Sequence, residues 1–298
     1  MISQKEFLHL PSVEVAKLVC AAGPQVCVFP LNGSRRWFML EYKPDQKEDL
    51  AQAYITIAEK RQLELYRMCF EHGLETLVSP IFGSKHLLRS NDYMAKIGAD
   101  GMSRLATHPE VLSFYNDYKI RVRFYGNYRK ELTGTPFAYL IEQFEQLTRQ
   151  TADNDGYRLF YGVFANDATE AIAEFSVQHF QQTGRVPNRQ ELVEGYYGEY
   201  IEAASLFIGF SKPRVYDYPL LGLGAEDLYF TFAPSLYMND EQLRHILYDH
   251  LYSRRIEQED YAKMTEQDFA FMREFYQTQR SRAMGVGELK GGIWYPAL

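Results

Sequence analysis

Residues 26–38, VCVFPLNGSRRWF, are the stretch that most constrains what this chain can fold into. An apolar, β-branched run breaks at Pro30, and a polar Asn-Gly-Ser segment follows at positions 32–34. Two arginines and a tryptophan then open a predicted helix. This order predicts a buried strand, a tight loop and a helix N-terminus.

A junction of this kind favours anions, because free backbone N–H groups and the positive end of the helix dipole meet at one point. Gly33 lets the backbone turn and approach a ligand, and Ser34 can cap the helix and donate a hydroxyl. Arg35 and Arg36 add planar, bidentate donors suited to phosphate oxygens. The alternative is an ordinary strand–helix turn whose arginines are solvated, and the local pattern leaves both interpretations open.

The rest of the chain alternates short apolar segments with helical ones. Further strands are predicted at residues 74–82, 120–125, 157–165 and 204–210, because these segments are short, apolar and followed by turn or polar residues. Nothing in the sequence has the composition of a linker. We therefore predict a single α/β domain over residues 1–298, with a central, mostly parallel sheet flanked by helices.

Composition excludes several function classes. The net charge is −7 with both signs well mixed, so we expect no nucleic-acid partner and no anionic membrane surface. The 3 cysteines lack a CxxC pairing, which argues against a disulfide framework or a zinc site. No apolar run approaches the roughly 20 residues of a membrane span, so we predict no membrane span and a cytoplasmic protein. The aromatic share of 15% suits a core, and equally a pocket that tolerates a carbocation.

The loop carries a resemblance to a known family. The segment NGSRRW at residues 32–37 resembles the diphosphate-binding loop of the cis-prenyltransferases, the undecaprenyl diphosphate synthase-like enzymes, which usually has an Asp-Gly-Asn-x-Arg-Trp pattern. Residues 29–38 are more similar to an offshoot of that family, the tuberculosinol, isotuberculosinol and kolavelool synthases. The resemblance implies a cis-prenyltransferase-like fold, and a homodimer by analogy with the parent family.

The resemblance also implies an activity, that of a diterpene synthase, a carbon–oxygen lyase acting on diphosphates. The expected substrate is a bicyclic diterpenyl diphosphate of the kolavenyl or tuberculosinyl (halimadienyl) type. Release of diphosphate would leave an allylic cation, and water would quench this cation to give a diterpene alcohol. Two alternatives remain: a transferase that passes the diterpenyl group to a nucleoside such as adenosine, and a non-catalytic isoprenoid-diphosphate-binding subunit.

Candidate site residues follow from the loop, the resemblance and the expected sheet. The expected catalytic residues are Asn32, Arg35, Arg36 and Tyr54. The loop contributes the expected substrate-binding residues Gly33, Ser34 and Trp37, and the resemblance to parent-family motifs adds Asn166 and Arg214. Asn127 joins the substrate-binding set because it follows the strand at 120–125, and ligands gather outside the carboxyl ends of parallel strands. The expected cofactor is Mg²⁺, and its expected ligand is Asp227, which opens a DLYFT segment similar to one in the parent family.

Three positions depart from the family pattern. Asn32 stands where parent and offshoot place an aspartate, and a neutral amide neither recruits magnesium by charge nor acts as a base. Three explanations fit this change: the protein is a natural variant that relies on Asp227 or the arginines, the asparagine is a deliberate substitution, or the protein binds its ligand without turnover. Gly209 and Ala283 stand where the parent family has arginines for a second diphosphate, so chain elongation is not expected.

Overall fold

A six-stranded parallel sheet forms the centre of the computed structural model, which describes residues 2–23, 25–42, 49–83, 94–255 and 261–297. Its strands are β1 (Val26–Val28), β2 (Thr76–Phe82), β3 (Ile120–Tyr125), β4 (Tyr157–Val163), β5 (Leu206–Phe210) and β6 (Asp227–Thr231). The strand order is β3-β4-β2-β1-β5-β6, and each neighbouring pair is parallel. The predicted α/β fold with a central, mostly parallel sheet is confirmed, whereas a single domain spanning residues 1–298 stays a prediction.

The strands send their side chains alternately into two apolar layers. Cys27 of β1 and the following Phe29 belong to the larger core, whereas Val26 and Val28 belong to a second core on the other face. This alternation follows from the two-residue period of a strand. Both layers are buried, as expected for a parallel sheet covered by helices on each face.

Helices flank the sheet in the described part of the chain. Their bounds are α1 (Gln4–Leu8), α2 (Ser12–Ala21), α3 (Ser34–Glu41), α4 (Leu50–Glu71), α5 (Asp100–Thr107), α6 (Pro109–Asp117), α7 (Tyr128–Leu132), α8 (Tyr139–Gln150), α9 (Thr169–Thr183), α10 (Arg189–Tyr197), α11 (Asp240–Tyr248) and α12 (Glu266–Gln279). Short 3₁₀ turns lie at Ser235–Tyr237 and Tyr261–Lys263, and π-helical segments lie at Met94–Ala99 and Asp249–Ser253. No described helix combines the length and apolar character that a membrane crossing requires.

The long helix α4 packs beside α3, the helix that follows the loop after β1. It begins at a capping residue, Asp49, whose carboxylate accepts hydrogen bonds from the N–H groups of Ala51 at 2.9 Å and Gln52 at 3.4 Å. It ends before Gly73, which has a φ of 88° and packs closely against α2, where a Cβ would lie 2.8 Å from the Ala16 carbonyl oxygen. The two termini therefore fix the length of α4 and hold its N-terminal half beside α3.

A hairpin near the C-terminus covers the start of α3. Its strands, β7 (Gly287–Lys290) and β8 (Ile293–Pro296), are antiparallel and joined at Gly291 and Gly292. The Arg36 guanidinium donates a hydrogen bond from Nη2 to the Gly292 carbonyl oxygen at 3.0 Å. The hairpin near the end of the described chain thus contacts the start of α3, next to the loop between β1 and α3.

Candidate functional site

The loop between β1 and α3 is held in a sharp turn. Gly33 has a φ of 75°, and a Cβ at this position would lie 2.8 Å from the Phe210 ring and 3.0 Å from Cβ of Pro234. The Asn32 backbone N–H donates to the Ser235 hydroxyl at 3.1 Å, and the Ser235 N–H donates to the Asn32 carbonyl at 3.0 Å. Glycine is required here for both its left-handed backbone and its lack of a side chain.

Ser34 does not cap the helix as the sequence predicted. Gly33 is the N-cap of α3 and Ser34 is its first residue, with no side-chain capping bond. The Ser34 hydroxyl is instead 2.7 Å from the Tyr54 hydroxyl of α4, and the Tyr54 ring meets Phe38 edge-on at 5.5 Å. The structure therefore brings Tyr54 to the loop, and its catalytic role stays a prediction.

Four cationic side chains surround this helix N-terminus, all of them lining one cavity: Arg35, Arg36, Lys212 and Arg214. Each of the last three also faces an aromatic ring. The distances from the charged group to the ring centroid are 6.0 Å for Arg36 and Phe210, 5.2 Å for Lys212 and Trp294, and 5.8 Å for Arg214 and Tyr216. These side chains are exposed at the cavity mouth, so an anion can reach the backbone N–H groups of α3 directly.

Behind the mouth the cavity becomes apolar. Its volume is about 710 Å³, within the range typical of small-molecule sites. The apolar lining residues are Leu31, Ile55, Ala58, Ile81, Phe82, Ile97, Met102 and Leu105. Glu59, the acidic residue among the described lining residues, is paired with Arg104 through hydrogen bonds of 2.8 and 2.7 Å. The cavity thus joins a cationic mouth to an apolar interior, which suits an anionic group attached to a hydrocarbon.

The side chain of Asn32 is engaged within the protein. Its amide nitrogen donates a hydrogen bond to the hydroxyl of Tyr216, a residue of the segment after β5. Burial raises the pKa of the Tyr216 hydroxyl, with Asp217 adding to the shift and Arg214 opposing it, so the tyrosine is a neutral acceptor. Asn32 therefore links the β1 loop to the segment after β5 and brings no negative charge to the loop.

Three predicted substrate-binding residues do not line the cavity. Trp37 lies on α3 and packs against the larger core. Asn127 follows β3, where its amide donates to the Asp167 carbonyl at 2.8 Å, and Asn166 follows β4. In the strand order, β4 is two positions and β3 three positions from β1, roughly 10 and 15 Å away. The prediction placed Asn127 and Asn166 at the correct edge of the sheet but too far along it.

Asp227 is placed at the wrong end of its strand for the predicted metal role. It is the first residue of β6 and pairs in register with Leu206, the first residue of β5, about 13 Å from the carboxyl ends of these strands. Its carboxylate contacts Nδ1 of His250 at 2.6 Å and Nη1 of Arg254 at 3.5 Å. Asp227 therefore forms ion pairs at the amino ends of the strands and does not face the loop between β1 and α3.

The described residues do not fit a magnesium site built from protein carboxylates. No group of three or more His, Cys, Asp or Glu side chains that could hold a metal occurs among them. At the cavity itself, the Asn32 amide is tied to Tyr216, and Glu59 is held by Arg104. We therefore derive no chemical step through a metal.

The aromatic and C-terminal parts of the cavity are not among the residues predicted from the sequence. Phe210, Tyr216 and Trp294 line it, together with Leu289 and Gly292 of the hairpin. The signal was available, because GELKGGIWYP places two glycines between alternating apolar and polar residues, a pattern typical of a hairpin.

Comparison with known proteins identifies close relatives. The chain is 44% identical over 297 residues to tuberculosinyl adenosine transferase of Mycobacterium tuberculosis, covering 99% of this chain and 98% of the relative. It is 26% identical over 293 residues to (+)-kolavelool synthase of Herpetosiphon aurantiacus, covering 98% of this chain and 94% of the relative. No protein-family model matches the chain.

Solved structures support the fold. A probable undecaprenyl diphosphate synthase of Campylobacter jejuni superimposes with a TM-score of 0.57 at 14% identity, covering 80% of this chain and 98% of the neighbour. Lavandulyl diphosphate synthase of Lavandula x intermedia, solved with dimethylallyl diphosphate, gives a TM-score of 0.55 at 14% identity, covering 82% and 100%. At such identities the similarity shows the cis-prenyltransferase-like fold alone.

These relatives correct the predicted activity. Quenching by water was expected, yet the relative at 44% identity is a transferase by name, and the synthase is far more distant at 26%. The prediction of a water-quenching synthase is therefore wrong, and the predicted lyase class is not confirmed. Because both relatives are enzymes by name, they also favour an enzyme over a non-catalytic subunit. On 44% identity along almost its whole length, the chain belongs to the family of tuberculosinyl adenosine transferase, on a cis-prenyltransferase-like fold.

Proposed function

We propose that this protein transfers a diterpenyl group from a bicyclic diterpenyl diphosphate to a nucleoside, with adenosine as the first acceptor to test. The observation that carries the proposal is the 44% identity to tuberculosinyl adenosine transferase over 99% of the chain. The cavity supports it independently, because a cationic mouth and an apolar interior match the two ends of a prenyl diphosphate.

The diphosphate would lie at the N-terminus of α3. Backbone N–H groups of this first turn point outward, and Arg35, Arg36, Lys212 and Arg214 line the same mouth. As the carbon–oxygen bond breaks, its electron pair leaves with the diphosphate, and these fixed donors stabilise the growing negative charge. Preorganised donors lower the barrier because they need no rearrangement during the reaction.

The hydrocarbon would occupy the apolar interior, with aromatic rings near the carbon that becomes cationic. Tyr54, Phe82, Phe210 and Tyr216 all line the cavity. An aromatic face attracts a cation through its quadrupole and does not compete with the acceptor as a strong nucleophile. The lone pair of an acceptor nitrogen then forms the new carbon–nitrogen bond, which completes the transfer.

Tyr54 and Ser34 would position the reacting group. Their hydroxyls are 2.7 Å apart, so one donates to the other, and the accepting hydroxyl keeps its own hydrogen to donate to the diphosphate. Magnesium enters the proposal only as a condition to vary. Assembly as a homodimer and residence in the cytoplasm stay predictions.

The test is a product assay with the purified protein. Kolavenyl, tuberculosinyl and geranylgeranyl diphosphates would be supplied singly, with and without adenosine and with and without Mg²⁺, and products followed by liquid chromatography and mass spectrometry. We expect an adduct whose mass equals the diterpenyl group plus adenosine, formed with release of diphosphate. A diterpene alcohol as the only product under every nucleoside condition would contradict the proposal.

A matched pair of variants connects the assay to the cavity. Arg36→Gln removes one cation from the mouth, and Arg273→Gln removes one from the exposed face of α12, outside the cavity lining. A charge-assisted hydrogen bond contributes about 1.5–3 kcal/mol, so Arg36→Gln should lower kcat/KM for the diphosphate substrate by about tenfold or more. Arg273→Gln should leave it unchanged, and equal losses in the two variants would argue against this anion site.

A further inference from the structure

Asp217 occupies an unusual position beside the cavity. It follows Tyr216, whose hydroxyl accepts the Asn32 hydrogen bond, and it has a φ of 63°, in the left-handed region. Its backbone carbonyl accepts a hydrogen bond from the Tyr125 hydroxyl at 2.7 Å. Contacts through Tyr216 and Tyr125 therefore pin this short segment against the carboxyl ends of the strands.

The Asp217 carboxylate has no hydrogen-bond or ion-pair partner among the described residues, and the neighbouring Tyr216 lines the cavity. The hydrogen bond that the described residues make to Asp217 from a side chain, that of the Tyr125 hydroxyl, ends at the backbone carbonyl and leaves both carboxylate oxygens unpaired. Oδ2 lies 3.9 Å from the position that a Cβ on Gly83 would occupy, so the carboxylate reaches the end of β2, next to β1 in the sheet. Burial raises its pKa while Arg214 opposes the shift, as expected for a half-buried acid without a hydrogen-bond donor.

A second polar group without a partner lies close by. The Tyr196 hydroxyl on α10 is buried and has no hydrogen-bond partner in the described part of the chain. Its ring centroid is 6.0 Å from that of Tyr125, the residue whose hydroxyl donates to the Asp217 carbonyl. Burial raises the pKa of the Tyr196 hydroxyl, and the negative charges of Asp217 and Asp167 add to the shift. Within the described part of the chain, a hydrogen-bond acceptor in the segment after β5 and a hydrogen-bond donor on α10 are thus left unpaired.

We propose that Asp217 binds the nucleoside acceptor, accepting a hydrogen bond from an amino group of its base, with the Tyr196 hydroxyl as a second contact. The inference rests on the proposed transferase function and assigns its acceptor side. Adenosine carries an exocyclic amino group that donates hydrogen bonds beside ring nitrogens that accept them. A carboxylate and a phenol match this pattern.

The charge of Asp217 also suits the reaction. When a neutral nitrogen of the base attacks the allylic carbon, its lone pair forms the carbon–nitrogen bond and positive charge develops on the base. A carboxylate hydrogen-bonded to the base stabilises that charge, while the diphosphate takes the electron pair of the broken carbon–oxygen bond. Glu59, the acid that lines the cavity, cannot serve in this way because Arg104 already occupies both its oxygens.

The experiment compares Asp217→Asn with Asp153→Asn in the full chain, using kinetics with adenosine and inosine. Asparagine has nearly the shape of aspartate and tolerates the left-handed backbone, and Asp153 is an exposed residue at the opposite edge of the sheet. We expect Asp217→Asn to raise the KM for adenosine about 10- to 100-fold, with little change in the KM for the diphosphate substrate. Inosine carries a carbonyl in place of the amino group, so the preference for adenosine over inosine should fall in the same variant and persist in Asp153→Asn.

Tyr196→Phe is the second variant, because it leaves Asp217 in place. It should raise the KM for adenosine by a smaller factor and leave the diphosphate KM unchanged. If the wild-type protein transfers to adenosine but neither variant alters its KM or its preference, Asp217 does not bind the acceptor and the proposed function stands. A wild-type protein that forms no nucleoside adduct refutes the transferase and this inference together. A loss of diphosphate affinity equal to the loss of adenosine affinity would show a structural role and overturn the assignment.

Discussion

The buried ion pair between Glu59 and Arg104 provides a quantitative test of how the cavity wall is held. It joins α4 to α5, with Arg104 donating from Nε at 2.8 Å and from Nη2 at 2.7 Å to the two carboxylate oxygens. The exposed fraction is 7% for the glutamate side chain and 15% for the arginine. Removing one partner of such a pair leaves an uncompensated charge in the interior, at a cost of about 3–5 kcal/mol.

The expected loss lies at the lower end of that range, because the 15% exposure of Arg104 lets water reach part of the guanidinium. Glu59→Met and Arg104→Met should each lose about 3 kcal/mol of unfolding free energy. At roughly 2–4 °C per kcal/mol, each variant should melt about 6–12 °C below the wild type. The double variant replaces both charges with apolar side chains of similar length, so it should lose less than either single variant. In the double variant His108, whose Nδ1 is 3.1 Å from the Glu59 carboxylate, loses that contact.

Urea titrations and thermal melts followed by circular dichroism would measure all four proteins. Binding of a diterpenyl diphosphate by the double variant is the control, because removing Glu59 and Arg104 together leaves the net charge of the cavity wall unchanged. The reasoning is refuted if the losses of the two single variants add up in the double variant. Additivity would mean that the two charges do not depend on each other for their burial.

Three further predictions concern the mouth and its surroundings. Gly33→Ala places a Cβ on a residue with a left-handed backbone, which costs about 1–2 kcal/mol, and this Cβ would lie only 2.8 Å from the Phe210 ring. We expect kcat/KM to fall at least about tenfold and the melting temperature to fall by a few degrees. Trp294→Ala removes the ring that lies 5.2 Å from the Lys212 ammonium, so the KM for the diphosphate substrate should rise about two- to fivefold. An unchanged KM would show that the hairpin does not contribute to diphosphate binding. Asp217→Asn should be more stable than the wild type at neutral pH, because a folded-state pKa raised by burial means that the ionised acid opposes folding. That difference should vanish as the pH falls through the raised pKa toward the ordinary value of 3.8, and urea titrations from pH 3 to pH 8 would show it.

The β1 loop could be predicted from sequence because all its determinants are local. A buried strand, a glycine and a helix start lie within residues 26–38, and the structure places them as expected. The role of Ser34 could not be predicted in the same way. Its hydroxyl either caps α3 or bonds Tyr54, and the choice depends on where α4 packs, which is a tertiary property.

The errors concern residues whose position depends on strand order and register. A segment such as DLYFT predicts a strand, but only the pairing of Asp227 with Leu206 shows which edge of the sheet carries the acid. Asn127 follows β3 and Asn166 follows β4, both parallel strands as predicted. Only the strand order shows that β2 lies between β4 and β1, and that β4 and β2 lie between β3 and β1. Sequence period fixes the face of a strand, whereas neighbours are set by long-range packing.

The replacement of an acid by Asn32 gains a physical meaning from the charges around it. The resemblance places an aspartate at this position, directly beside the site where diphosphate would acquire negative charge. Here an amide tied to Tyr216 brings no charge to that point, and the cations of the mouth meet the diphosphate without an internal competitor. Among the described residues that line the cavity the acid is Glu59, and Arg104 neutralises its charge. Within the described lining of the cavity, a departing diphosphate would therefore meet four cations and no unpaired carboxylate, which is the charge distribution that stabilises a leaving group as it acquires negative charge.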